Sequence, residues 1–336
     1  MSATRPPATL ADVARAAGVS AKTVSRVANG EQGVHPSTTE RVEEAIRALG
    51  YRRNDAARNL RKGISFATIG LLIEDLTNPF YAVVASAVEQ VALRHGRAVI
   101  ITSSGEDATR ERELVTGLVR RGVEGLLLVP AGHDHRYLSG IIHSGTPMVF
   151  LDREPGGIDA DAVLLDNHEG ARHATGHLIA HGHRRIGYVG DALSVSTSLQ
   201  RLRGFEAAHL DAGLTVDPDL IRLGPVGADV AQASTRALLS MAAPPTALLA
   251  QNNRNCIGAL RAIAAMSARC ALVGFDDFEL GDLVRVPVSV MAYDPGEIGR
   301  AGAELLFARL AGDSRAPQRV IIPTRLIARG SGESEP

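Results

Sequence analysis

The sequence predicts a small all-α head followed by a larger α/β body built of doubly wound parallel sheets. Its 336 residues exceed the usual size of one hydrophobic core, which indicates more than one domain. Residues 1–63 hold 11 Lys and Arg against 6 Asp and Glu, whereas the rest hold 25 against 31, so only the head suits a polyanionic partner. From Ala67 onward, short apolar runs alternate with helical patterns, as in parallel sheets covered by helices.

Composition argues against several protein classes. No apolar run reaches about 18 residues, so no membrane span is expected. Met1 to Pro7 lacks the apolar segment of a secretory signal, and the two cysteines, Cys256 and Cys270, are too far apart for a metal knuckle or a redox pair. We therefore expect a cytoplasmic protein.

Two short helices joined by a glycine turn are predicted at the start of the head. Thr9 to Asp12 has the pattern of a capping box that begins the first helix, and Gly18 ends it. Ser20 is placed to cap a second helix over Ala21–Ala28. This arrangement is the helix-turn-helix.

A third helix is predicted to begin at Pro36, with an apolar stripe at Val42, Ala45, Ile46 and Leu49. The second helix leaves a polar face outward, formed by Ala21, Lys22, Ser25, Arg26 and Asn29. Such a face suits base edges and phosphates, although it is also compatible with a merely solvated surface of a three-helix domain.

The run TLADVARAAGVSAKTVSRVANGEQGVHPSTTERVEEAIRALGY closely resembles the DNA-binding domain of the lactose-repressor (LacI/GalR) family, and the resemblance continues to the C-terminus. It implies that operator DNA is the partner of the head. It also assigns DNA contacts in two groups: base contacts at Ala21, Lys22 and Arg26, and phosphate contacts at Ser20, Thr23, Ser25 and Asn29.

Residues 54–63 form a short basic segment between head and body. On its own, a segment of this length does not hold a stable helix, so the residues alone indicate a linker. The resemblance implies a hinge helix that folds on operator DNA. Ala57 and Leu60 would then face the minor groove, and Leu60 would wedge between base pairs.

In the body, polar residues follow several predicted strands. The strands are Ala67–Ile73, Ala98–Thr102, Gly125–Val129, Pro147–Leu151, Ala162–Leu165, Ile186–Val189, Ala247–Ala250 and Ala271–Phe275. Ligands of open α/β sheets bind beyond the carboxyl ends of the strands, which here carry Glu74-Asp75, Asp152-Arg153, Asn252-Asn253 and Asp276-Asp277.

For the body, residues 64–336, the resemblance implies a two-lobed fold like that of periplasmic binding proteins, with an effector cleft between the lobes. The implied effector-binding residues are Asp75, Phe80, Tyr81, Asp152, Arg201, Asn252, Asp276 and Asp294. Because this set is rich in acceptors and poor in cations, it predicts a neutral sugar rather than a phosphorylated ligand. Asn253 stands where relatives commonly have aspartate, so the identity of the effector does not transfer from them.

A row of histidines in the body raises the alternative of a metal site. His173, His177 and His181 share one side of a predicted helix, a spacing that can bind zinc or nickel. No further ligand pattern surrounds them, so a solvated face is expected and no metal or cofactor is predicted. The sequence also lacks the nucleophile-elbow and phosphate-loop motifs, which argues against an enzyme.

Together these features predict a homodimeric transcriptional repressor of carbohydrate-utilisation genes, divided into a helix-turn-helix domain (1–53), a hinge (54–63) and an effector-binding and dimerisation domain (64–336). A sugar would release it from a palindromic operator, and we expect it at the nucleoid. Two alternatives stay open: a corepressor-dependent repressor, in which ligand strengthens DNA binding, and a stand-alone small-molecule binding protein.

Overall fold

The computed structural model describes residues 10–28, 34–49 and 67–336. The chain divides into two units, Met1–Phe66 and Ala67–Pro336. The predicted hinge over 54–63, with Ala57 and Leu60, lies outside the described residues, as does Asn29. The three-part division of the chain therefore stays a prediction.

Three helices of the first unit are described, α1 (Leu10–Ala17), α2 (Ala21–Ala28) and α3 (Pro36–Leu49). Gly18 adopts φ +65°, which lets the chain turn sharply between α1 and α2. The Ser20 hydroxyl accepts a hydrogen bond from the Thr23 amide at 3.1 Å and caps α2 as predicted. The buried core consists of Val13, Ala14, Ala17, Val24, Val42 and Ala45. Leu49 was expected to face inward but is 41% exposed, because α3 ends there.

The second unit contains two six-stranded sheets. Its strands are β1 (Thr68–Ile73), β2 (Ala98–Ser103), β3 (Leu126–Leu128), β4 (Met148–Asp152), β5 (Asp161–Leu165), β6 (Ile186–Asp191), β7 (Ile221–Gly224), β8 (Ala247–Ala250), β9 (Ala271–Phe275), β10 (Ser289–Ala292), β11 (Arg319–Ile322) and β12 (Arg325–Ile327). The helices are α4 (Pro79–Arg94), α5 (Ala108–Arg120), α6 (Ser139–His143), α7 (Asn167–Ala180), α8 (Ser196–Asp211), α9 (Ala228–Leu239), α10 (Asn253–Met266) and α11 (Pro295–Leu310).

The two sheets have the same plan. Their strand orders are β11-β5-β4-β3-β1-β2 and β12-β10-β9-β8-β6-β7, and only the β10–β12 pair is antiparallel. In the first lobe, α4 and α11 cover one face of the sheet, and α5 and α6 cover the other. In the second lobe, α7 and α8 lie on one face, and α9 and α10 on the other. The chain crosses between the lobes after β5, after β10 and between β11 and β12, so the predicted doubly wound, two-lobed class is confirmed.

All eight predicted strands are present, but four others were not predicted. These are β7, β10, β11 and β12, each of three or four residues. β7, β11 and β12 are partly exposed, and β11 and β12, which only Pro323 and Thr324 separate, join opposite sheets. These strands depend on pairing with neighbours that are distant in sequence, which no local pattern reveals.

The C-terminal segment packs against the second lobe and corrects the expectation for the histidine face. The Glu333 carboxylate lies 2.5 Å from His177 Nε2 and accepts a hydrogen bond from Ser289 at 2.8 Å. His183 is buried and bonds the Ser334 carbonyl at 2.9 Å. Of His173, His177 and His181, only His173 is exposed, so His177 anchors the C-terminus and does not belong to a solvated face.

Within the described ranges, no helix is long and apolar enough to cross a membrane. No group of three or more His, Cys, Asp and Glu side chains among these residues is arranged to hold a metal ion.

Candidate functional site

A cavity of about 460 Å³, counting the space open to solvent, lies between the two lobes at the carboxyl ends of their strands. This is the position where open α/β sheets bind ligands. Its lining includes six of the predicted effector residues, namely Phe80, Tyr81, Asp152, Arg201, Asn252 and Asp276. Asp75 and Asp294, also predicted, are not among the lining residues.

Asp152 and Asp276 face each other across the two lobes as structural equivalents. β4 and β9 are each the third strand in the order of their sheet. Asp152 is the last residue of β4, and Asp276 directly follows β9. Both adopt left-handed backbone conformations, with φ +65° and +69°. Non-glycine residues rarely adopt this conformation, and such strain clusters at functional sites.

The Asp152 carboxylate is available to a ligand. It is 8% exposed, and no hydrogen bond from the described residues reaches it. Its nearest ion-pair contact is Arg153 Nε at 3.7 Å. Burial raises the pKa of Asp152, because the charged form loses solvation. A hydroxyl donor from a ligand would satisfy this carboxylate.

Arg201 is held rigidly by protein groups. Its Nε donates to Asn167 at 2.7 Å, and its Nη1 donates to the Gln251 carbonyl at 2.6 Å. The guanidinium lies 3.7 Å above the Phe275 ring, and Nη2 is 3.5 Å from the Asp276 carboxylate. These contacts hold the Arg201 guanidinium in place beside Asp276 at the cavity lining.

Arg153 is surrounded by carboxylates. It makes two hydrogen bonds to Glu106, at 2.6 and 2.9 Å, and one to Glu74 at 3.0 Å. The Tyr81 hydroxyl donates to the same Glu74 oxygen at 2.8 Å, and the Tyr81 side chain is almost completely buried at the cavity lining. Burial raises the pKa of Glu74 to about 7, against the opposing effect of Arg153.

One end of the cleft is spanned by direct contacts between the lobes, which we call the clasp (Asp75, Thr77, Asn78, Asn253 and Arg254). Arg254 Nη2 pairs with the Asp75 carboxylate and donates to the Thr77 hydroxyl at 2.8 Å. The Asn253 amide donates to Asn78 at 2.9 Å. Asp75 thus connects the lobes instead of lining the cavity.

Asp294 has a local role in the structure. It caps α11 by accepting a hydrogen bond from the Gly296 amide at 2.8 Å, and it pairs with Arg300 at 2.5 Å. The capping position alone accounts for an aspartate there.

Several lining residues were not singled out from the sequence, among them Asp191, Thr197, Gln251 and Tyr293. Asp191 closes β6 and accepts hydrogen bonds from Asn252 at 2.6 Å and Asn255 at 3.0 Å. Extending the predicted strand Ile186–Val189 by two residues brings Asp191 to a strand end, so the strand-end rule had a usable signal for it. Tyr293 follows the unpredicted β10 and had no such signal.

In the first unit, five of the predicted DNA-contact residues lie in α2, and Ser20 directly precedes it. Ala21, Lys22 and the capping Ser20 are exposed, whereas Thr23, Ser25 and Arg26 are half-buried. Val24 on the opposite side is fully buried. Packing of Val24 therefore turns the side of α2 that carries Ala21 and Lys22 toward solvent.

Comparisons with known proteins agree with this architecture. Residues 9–54 match the model of the bacterial regulatory proteins of the lacI family, and residues 175–332 match the periplasmic binding protein-like domain. The HTH-type transcriptional regulator PtxS of Pseudomonas aeruginosa is 33% identical over 335 residues, which span 96% of this chain and 95% of that protein.

Two solved structures extend the match to the whole fold. One is the complex of the transcriptional regulator CelR with cellobiose, at TM-score 0.72 and 31% identity, covering 97% of this chain and 100% of that one. The other is the lac repressor dimer bound to operator and the anti-inducer ONPF, at TM-score 0.75 and 26% identity, covering 98% and 100%. The chain belongs to the lacI family of bacterial regulatory proteins.

Proposed function

We propose that this DNA-binding transcriptional regulator represses carbohydrate-utilisation genes and leaves its operator when a neutral sugar occupies the cleft. It acts as a homodimer on a palindromic operator, because two heads related by a two-fold axis read two half-sites. Its location is the cytoplasm, at the nucleoid. We propose no enzymatic activity for this chain.

The choice of a neutral ligand rests on the contacts that the three arginines of the cavity lining already make with protein groups. Arg153 pairs with Glu74 and Glu106, Arg254 pairs with Asp75, and Arg201 is held by protein oxygens and lies near Asp276. Because nearby carboxylates already offset the charges of these arginines, a phosphorylated ligand would meet no excess of positive charge at this lining.

The other lining groups suit a polyol. The carboxylates accept hydroxyl donors, and the Asn252 amide, which already bonds Asp191 and the Asn255 N–H, retains one further N–H and one further lone pair. The rings of Phe80 and Tyr293, with centroids 6.2 Å apart, can cover the apolar face of a sugar. The related regulator CelR was solved with cellobiose, which supports a sugar in this chain as well.

Release follows from linkage between the two sites. A ligand that binds better to the arrangement with low DNA affinity lowers operator binding, and DNA lowers ligand affinity by the same factor. On the head, we propose base contacts at Ala21, Lys22 and Arg26 and phosphate contacts at Ser20, Thr23, Ser25 and Asn29. Ala57 and Leu60 complete the proposed interface in the minor groove.

Calorimetry with neutral sugars and their phosphates tests the effector, with Asp152→Asn as the cleft variant. Loss of a charged hydrogen-bond acceptor should weaken sugar binding by about 1.5–3 kcal/mol. Asp294→Asn is the matched control, because asparagine also caps helices and Asp294 lies outside the cavity lining. Tight binding of a sugar phosphate without binding of its neutral parent would overturn the proposal. Stronger operator binding on addition of the sugar would make it a corepressor.

A further inference from the structure

Three carboxyl groups of the first lobe share one guanidinium, and we call this group the Arg153 cluster (Glu74, Glu106, Asp152 and Arg153). Arg153 Nη1 and Nη2 make two hydrogen bonds to Glu106 and one to Glu74, and Nε lies 3.7 Å from the Asp152 carboxylate. When all three carboxyls are ionised, their negative charges exceed the single positive charge. Because Arg153, Asp152 and Glu74 are buried, this excess is costly, and a proton on one of the carboxyls relieves it.

Glu74 is the carboxyl of the cluster whose charge is least compensated. Glu106 accepts a hydrogen bond from Arg153 on each of its two oxygens, and its side chain is 25% exposed against 11% for Glu74. Asp152 is attracted by Arg201 as well as by Arg153. Glu74 receives one hydrogen bond from Arg153, and no other cation among the described residues pairs with it. The proton that the cluster favours therefore belongs on Glu74.

The two oxygens of Glu74 have different surroundings. Oε2 accepts hydrogen bonds from the Tyr81 hydroxyl at 2.8 Å and from Arg153 Nη2 at 3.0 Å. Within the described ranges, Oε1 takes part in no hydrogen bond, and it is not among the fully buried polar atoms that lack a partner. Glu74 itself lines the effector cavity. A proton therefore fits on Oε1, because Oε2 is already occupied by two donors.

We propose that Glu74 binds the effector as a protonated carboxyl whose Oε1–H donates a hydrogen bond to an oxygen of the sugar. This inference rests on the proposed sugar-binding function and adds a residue that makes binding depend on pH. The hydroxyl and ring oxygens of a sugar accept such a bond, whereas an ionised Glu74 has no proton to donate. The effector therefore selects the protonated form of Glu74, and above neutral pH its binding takes up a proton.

The charged groups around Glu74 determine the pH range of this effect. Burial raises the pKa of Glu74 to about 7 against the effect of Arg153, while Glu106 and Asp152 add to the rise and Tyr81 opposes it. The second lobe contributes three further charged groups to the lining of the same cavity, Asp191, Arg201 and Asp276. At pH 6 Glu74 is mostly protonated, and at pH 8 it is mostly ionised. A ligand that binds only the protonated form should have a Kd about tenfold higher at pH 8 than at pH 6.

Calorimetry on the full chain tests the proposal with cellobiose, ribose, galactose and glucose at pH 6 and pH 8. Titrations in phosphate and in Tris, two buffers with different heats of ionisation, give the number of protons taken up. A sugar that binds should take up nearly one proton at pH 8 and almost none at pH 6. Glu74→Gln places an amide N–H donor beside an oxygen that can still accept from Tyr81 and Arg153. This variant should bind the sugar at both pH values about as tightly as the unsubstituted protein does at pH 6, without proton uptake. Glu89→Gln, at an exposed glutamate of α4, is the matched control and should retain the pH dependence.

The outcomes separate this inference from the proposed function. Equal Kd values at pH 6 and pH 8, release of a proton on binding, or a pH dependence that persists in Glu74→Gln would overturn the role of Glu74 and leave sugar binding intact. Binding of none of these neutral sugars would overturn both. Far-UV circular dichroism shows whether Glu74→Gln has folded, and the proton uptake of the unsubstituted protein tests the proposal without any substitution.

Discussion

Replacing Glu74 with glutamine should change how the stability of the first lobe depends on pH. Glu74 is 9% exposed and lies beside Arg153, Tyr81, Glu106 and Asp152. Burial raises its pKa from the ordinary value of 4.5 to about 7, Glu106 and Asp152 add to the rise, and Arg153 and Tyr81 oppose it. The folded protein therefore retains a proton that the unfolded chain releases between these two values.

The sign and size of the effect follow from proton linkage. Below pH 4.5, Glu74 is protonated in both states and its favourable contribution is complete. As pH rises to about 7, the unfolded chain loses the proton first, so the free energy of unfolding falls. The pKa difference corresponds to roughly 3 kcal/mol as an upper limit. Glutamine is neutral at every pH and still offers an oxygen to the Tyr81 hydroxyl, so Glu74→Gln should remove this decline.

Urea unfolding followed by far-UV circular dichroism between pH 5 and pH 8 measures the effect. The stability of Glu74→Gln relative to the unsubstituted protein should increase with pH across this range. Glu89→Gln, at an exposed glutamate of α4, is the control and should follow the unsubstituted protein. Parallel stability curves for Glu74→Gln and the unsubstituted protein would show that Glu74 is ionised throughout, and would refute the reasoning.

Three further predictions concern other parts of the molecule. Arg26→Ala should weaken operator binding by roughly 1–3 kcal/mol in gel-shift titrations and barely affect random DNA, whereas equal losses on both would indicate a phosphate contact. A double-mutant cycle of Arg254→Ala and Asp75→Ala in thermal unfolding should give a coupling of about 0.5–1 kcal/mol, and simple additivity would contradict the clasp. Glu333→Ala removes the acceptor for His177 and should lower the stability of the second lobe in urea by about 1–3 kcal/mol. The exposed Glu335→Ala should have little effect, and equal losses in both variants would mean that the His177–Glu333 hydrogen bond contributes nothing specific.

Features with local causes could be predicted from the sequence. Gly18, Ser20 and Pro36 mark the helix boundaries of the head, because turns and caps depend on residues a few positions apart. Seven of the eight predicted strands were recognisable because their apolar runs are buried on both faces of parallel sheets, whereas β2 is partly exposed. Asp152 and Asp276 were found because strand ends converge on one edge of a sheet.

The sequence by itself determined the helix-turn-helix head, the α/β class of the body and most of the residues around the cleft. Only the tertiary structure decided which polar groups remain available to a ligand, because that depends on partners far away in sequence. Asp75 and Asp152 both lie at the carboxyl end of a strand. Asp75, however, is bound in the clasp by Arg254, which is 179 positions away. His177 pairs with Glu333, 156 positions away, although its helical spacing alone indicated a solvated face. Local patterns specify where a side chain emerges, and the packing of distant elements decides what it contacts.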